Sequence, residues 1–190
     1  METFIEKDQL RKTILASIFM ALAFVLPFAT ANNMLLGQRL LLMHIPILLC
    51  GIVCGPKHGM AVGFMAPILR AVMLGAPPLP IAIAMAFELA AYGFFIGFAY
   101  KLLSKILHKK TDIYQYISVY VSLIIALIAG RLVFIAINFQ MLSIDERFFE
   151  ASIGPLVTLL TVTAWPGILI QIAVVPLIFI FLKQRKMLPN

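Results

Sequence analysis

Residues 80–101 read PIAIAMAFELAAYGFFIGFAYK, an apolar run broken at its middle by Glu88. Its length matches the roughly 20 residues that an α-helix needs to cross the hydrocarbon core of a bilayer. An ionised side chain at that depth costs on the order of 3 kcal/mol on insertion scales. Two further apolar runs carry such a group, Arg70 in one and Arg131 in the other. Three ionisable groups at membrane depth point to a polar cavity between helices, and such a cavity reads as a binding site.

Composition sets the class. Of the 190 residues 63% are hydrophobic and 12% charged, and mean hydropathy is +1.05. Soluble domains carry about 25% charged residues. The sequence predicts an all-α integral membrane protein, one membrane domain over 1–190, with six transmembrane helices at about 12–31, 40–55, 58–75, 80–101, 116–140 and 156–182. The first run follows Lys7, Arg11 and Lys12 and imitates a signal peptide. Its apolar core exceeds the 7–15 residues of a signal h-region, and five more spans follow, so it is read as a retained span. The second is short. Between the third and fourth lies GAPPLP at 75–80, which cannot be helical throughout because proline lacks the N–H and clashes with the preceding turn.

Orientation follows from Lys and Arg. Lys7, Arg11, Lys12, Lys57, Lys101, Lys105, Lys109, Lys110, Lys183, Arg185 and Lys186 fall on one side of a six-span chain, against Arg39 and Arg147 on the other. Both termini are therefore expected in the cytoplasm, with the protein multi-pass in the cell membrane. The net charge of +7 is this inside bias, so it does not argue for nucleic acid. The outer connections are 32–39, the proline-rich turn, and the acidic segment 141–155 with Asp145, Glu146 and Glu150.

At 1.5 Å per residue, Arg70, Glu88 and Arg131 lie roughly 8, 12 and 14 Å below the outer ends of their spans. His44, Trp165 and Asn138 share that outer half, with Phe87 beside Glu88 and Asn33 in the first outer connection. Purely structural readings stand beside these. Glu88 and Arg131 would form an ion pair that fixes packing, Arg70 would snorkel to the interface, His44 would bond a backbone carbonyl, and Asn32 and Asn33 would be turn residues. Trp165, beside Pro166 and Gly167, is expected at a kink and facing inward. Two arginines against one glutamate leave the cavity net positive, which favours a carboxylate-bearing ligand.

Other chemistry is thin. Cys50 and Cys54 share a helix face and read as structural thiols, and with His58 they do not complete a metal site. There is no His-Glu-x-x-His, no G-x-S-x-G and no phosphate loop. No enzyme activity, cofactor or metal is expected, and active transport would draw its energy from an ion gradient or another protein. On the first span Ser17 and Ala21 make a small-xxx-small pair beside Ala16 and Met20, a surface that admits a second helix closely.

The stretch HIPILLCGIVCGPKHG at 44–59, followed by Gly63, resembles a pattern of the substrate-binding S components of energy-coupling factor (ECF) vitamin transporters: a polar residue, Ile-Pro, then Gly-Pro and a second glycine. Ser17 to Ala21 (SIFMA) is similar to the family's A-x-x-x-A surface, with Ser in place of the first Ala. The segments AGR at 129–131 and WPGILIQ at 165–171 fit as well. The resemblance implies capture of a water-soluble vitamin outside, closure of the outer loops, and docking through Ala16, Ser17, Met20 and Ala21 onto a membrane coupling subunit served by two ATPases. Arg70 and Arg131 suit the carboxylate of pantothenate, the leading candidate. His44, Phe87 and Trp165 suit riboflavin or a pyridoxine-like vitamin. The alternatives are a stand-alone ion-coupled carrier, and a small intramembrane enzyme or assembly factor in which Glu88 would be the titrating group.

Overall fold

A computed structural model describes residues 2–30, 40–107, 112–142 and 165–185. These residues form six α-helices and contain no strand. Helix α1 is Glu2–Val25, followed by a 3-10 turn, Leu26–Thr30; α2 is His44–Cys54, α3 Pro56–Leu74, α4 Leu79–Leu107, α5 Asp112–Leu142 and α6 Trp165–Gln184. The breaks follow local chemistry. Pro27 has no N–H to continue α1. Gly55, at φ +93°, separates α2 from α3, whose first residue is Pro56. Gly75, at φ +66°, closes α3 in the left-handed conformation and donates its N–H to the Ala71 carbonyl at 3.0 Å.

By length and composition four stretches are able to cross a membrane: Lys7–Ala29, Leu79–Ile106, Ile113–Gln140 and Trp165–Gln184. The other two expected spans differ. Helix α2 has 11 residues, about 16 Å of rise, and falls short of a bilayer. Helix α3 has 19 residues but is less apolar, carrying Lys57, His58 and Arg70. The last helix is described from Trp165 onward; residues 156–164 of the expected span lie outside the described residues.

Helix α2 is enclosed. It packs against α1, α3, α4 and α6, and all 11 of its residues are buried. Helix α4 is the other central element, with α3 on one flank and α5 on the other. Over its spanning window 56% of residues are buried, against 17% for α1, which therefore lies at the edge.

Glycines let α2, α3 and α4 approach to backbone contact. A Cβ on Gly59 of α3 would lie 2.6 Å from both the Gly51 Cα on α2 and the Gly93 carbonyl oxygen on α4. Gly63 faces the Leu89 backbone, and Gly97 faces Gly51 and Pro56. Gly59 and Gly63, and Gly93 and Gly97, are thus two small-xxx-small pairs meeting across one seam.

Candidate functional site

The site is built on α4. Glu88 is 2% exposed and accepts two polar contacts at the same oxygen: Arg131 Nη1 of α5 lies 3.1 Å from Oε1, and the Tyr92 hydroxyl donates to it at 2.9 Å. Glu88 and Tyr92 are four residues apart and so share a helix face. Gly130 explains how α5 comes so close. Any Cβ there would collide with the Tyr92 ring, so the ring lies on the α5 backbone next to Arg131. His44, at the start of α2, tilts against the other side of Tyr92 with ring centroids 5.3 Å apart. A short helix that begins at a buried histidine, and a helix with a glycine before its arginine, thus bring three elements to one carboxylate.

This cluster is not closed on itself. Arg131 Nη2 is buried without a hydrogen bond of ordinary geometry, though the guanidinium also lies close to the Tyr92 hydroxyl, and neither nitrogen of His44 makes such a bond, though the imidazole lies close to the Leu41 backbone. Gln171 of α6 is fully buried with both amide atoms unpartnered. It lies on the stripe Gly167, Gln171, Val175 that α6 turns toward its neighbours, α2 and α5, the helices that carry His44 and Arg131. By contrast, the buried hydroxyls of Ser118 and Ser122 donate to carbonyls one turn back on α5 and are spent. Buried polar groups are normally paired, so orphaned donors and acceptors on converging helices mark groups held for something else.

The remaining candidates sit elsewhere. Arg70 makes no ion pair with Glu88; its Nη1 donates to the Phe24 carbonyl at 2.7 Å and its guanidinium lies 5.7 Å and 5.0 Å from the ring centroids of Phe24 and Phe28. Phe24 is in the last turn of α1, where carbonyls lose their partners within the helix, and Arg70 supplies a donor there. The expected second cation of the cavity thus anchors the end of α1. Phe87 is 43% exposed and packs edge-on against Phe64, about 100° around the helix from Glu88. Trp165, the first described residue of α6, is exposed and does not face inward. Asn138 lies two turns beyond Arg131 on its face and donates to the Phe134 carbonyl. Asn33 lies outside the described residues. On α1, Ala16 is buried and Met20 packs on the core, whereas Ser17 and Ala21 face outward.

With this geometry in hand, the family comparison is decisive. The model of the family described as ECF transporter, substrate-specific component, matches residues 11–179. The chain belongs to this family. No curated protein and no solved structure matches it. As a substrate-specific component it is a transporter subunit, serves substrate capture, and works with an energy-coupling module. Two buried polar residues, Tyr92 beside Glu88 and Gln171 on α6, were not among the candidates read from the sequence. Tyr92 was signalled by its four-residue spacing from Glu88. Gln171 was visible only as a polar residue in an apolar run, since nothing in the sequence fixes which way α6 is turned.

Proposed function

We propose that this S component captures a water-soluble vitamin at the cluster of His44, Glu88, Tyr92 and Arg131, in the outer half of the cell membrane. One observation carries the reading. An arginine held by a single nitrogen to a buried carboxylate keeps its other nitrogen unspent. In this proposal all six helices cross or re-enter the membrane, both termini are cytoplasmic, and Asn138 and the outer segments complete the site from above. Asn33, Phe87 and Trp165 act at the rim, whereas Arg70 is spent on the end of α1. Helix α1 docks on a membrane coupling subunit with two ATPases through its outward residues, Ser17 and Ala21, while Ala16 and Met20 hold it to the core.

Among vitamins the charge balance matters. With Arg70 engaged at Phe24, the cluster holds one arginine against one glutamate. The preference for the carboxylate of pantothenate loses its second cation, and riboflavin or a pyridoxine-like vitamin gains. The test is native mass spectrometry of the detergent-purified chain, followed by thermal shift against a B-vitamin panel. A stoichiometric co-purified vitamin, or stabilisation by one member of the panel, is expected. An empty chain that no vitamin stabilises overturns the proposal.

A further inference from the structure

The unspent atoms have a pattern. Arg131 Nη2 is a donor; a neutral imidazole at His44 offers one donor and one acceptor; the Gln171 amide offers both. Gln171 is carried by α6, which packs on both α2 and α5, the helices of His44 and Arg131, and His44 and Gln171 are more than nine-tenths buried. A carboxylate brings only acceptors. It would answer Arg131 and leave Gln171 Oε1 and the free imidazole nitrogen unanswered, and it would sit as a second anion beside Glu88 with one guanidinium between them. An uncharged ring edge that carries N–H beside C=O or ring nitrogen answers donors and acceptors together.

We infer that Gln171 and His44 are specificity-determining residues, and that they read an uncharged, planar heterocycle through an edge of mixed donors and acceptors, excluding ligands recognised by a carboxylate. The inference rests on the proposed capture role and deepens it. Gln171 takes no part in the Glu88–Arg131 pair; where α6 meets α4 it does so through Phe179 against Tyr100, two turns further along the helix.

The test uses the full chain in detergent, with riboflavin, pyridoxine and pantothenate as probes, and compares the natural sequence with Gln171→Leu and His44→Phe. Leucine keeps the volume of glutamine and removes the amide. An orphaned buried amide destabilises the empty protein, so Gln171→Leu should melt at the same temperature or higher without ligand. Its affinity for a ring probe should fall about tenfold or more. A residue with only a structural role would give the opposite signs. His44→Phe should weaken the same probe while the ring stack on Tyr92 keeps the fold. Tight binding of pantothenate, with neither ring vitamin bound, overturns the inference and leaves the capture role standing. Ring binding that Gln171→Leu does not weaken also overturns it, because a buried water is then enough to answer the amide. Binding of no B vitamin at all overturns both.

Discussion

Removing either half of the Glu88–Arg131 pair should harm the protein more than removing both. The carboxylate is 2% exposed and its partners are Arg131 and the Tyr92 hydroxyl. Arg131→Met keeps most of the side-chain volume and strands that carboxylate among apolar helices. Breaking a buried pair in this way costs about 3–5 kcal/mol, whereas replacing both partners is often neutral. For a chain of this length 1 kcal/mol moves the melting temperature by about 2–4 °C, so Arg131→Met should lower it by roughly 6–20 °C. Glu88→Gln should be milder, because glutamine still accepts from Tyr92. The double variant Arg131→Met/Glu88→Gln should recover most of the loss. The assay is thermal unfolding in detergent with a thiol-reactive dye. Cys50 and Cys54 are buried in α2 and become reactive only when the bundle opens. Ligand titration separates stability from function: the double variant should be stable yet fail to bind, since Arg131 Nη2 is gone. Additive losses in the cycle would refute the pairing, and full binding by the stable double variant would refute the role given to Arg131.

Tyr92→Phe keeps the ring on Gly130 and removes the hydroxyl from Glu88; a loss of about 1.5–3 kcal/mol is expected in denaturation, as for a hydrogen bond to a charged group. Arg70→Met should lower the melting temperature, through the lost Phe24 carbonyl bond, and leave vitamin affinity unchanged in fluorescence titration of Trp165, the only tryptophan of the chain. A weakened affinity would return Arg70 to the site. Gly93→Ala drives a Cβ into the Gly59 backbone and should cost about 3 kcal/mol, at the upper end for overpacking. Gly75→Ala meets no atom and should cost about 1 kcal/mol through its left-handed φ alone; equal losses would show that the seam yields. Ala21→Trp, on the outward face of α1, should spare binding by the isolated chain and abolish uptake with the coupling module, whereas retained uptake would place docking elsewhere.

Depth was legible in the sequence and azimuth was not. Counting residues placed Glu88 and Arg131 at similar depth, and their pairing followed. The same count placed Arg70 nearby, but depth says nothing of the direction a side chain takes around its helix, and Arg70 turns to α1. Phe87 shows the same gap, one residue and about 100° from Glu88. Trp165 shows it again: the count placed it within a span, yet its side chain is exposed on α6. The expected ends of the second and third spans, at 55 and 75, fall on glycines that do break the chain, although the break at 75–80 was ascribed to proline. Their second use, at Gly59, Gly63, Gly93 and Gly97, depends on which helices are neighbours, which spacing alone does not state.

The backbone contact among α2, α3 and α4 has a mechanical consequence. Helices that touch through side chains can slide by changing rotamers, but helices that touch through Cα and carbonyl atoms have no such give. Those three helices must therefore turn as one block. A torque delivered to the protein through α1 passes by way of α2 and α3, the helices it packs on, to the block that holds His44, Glu88 and Tyr92, with α5 and α6 outside that block. The two sides of the ion pair sit on opposite sides of that divide. Glu88 belongs to the stiff block and Arg131 lies outside it, so the ion pair is a tie by which a turn of the block is passed on to α5.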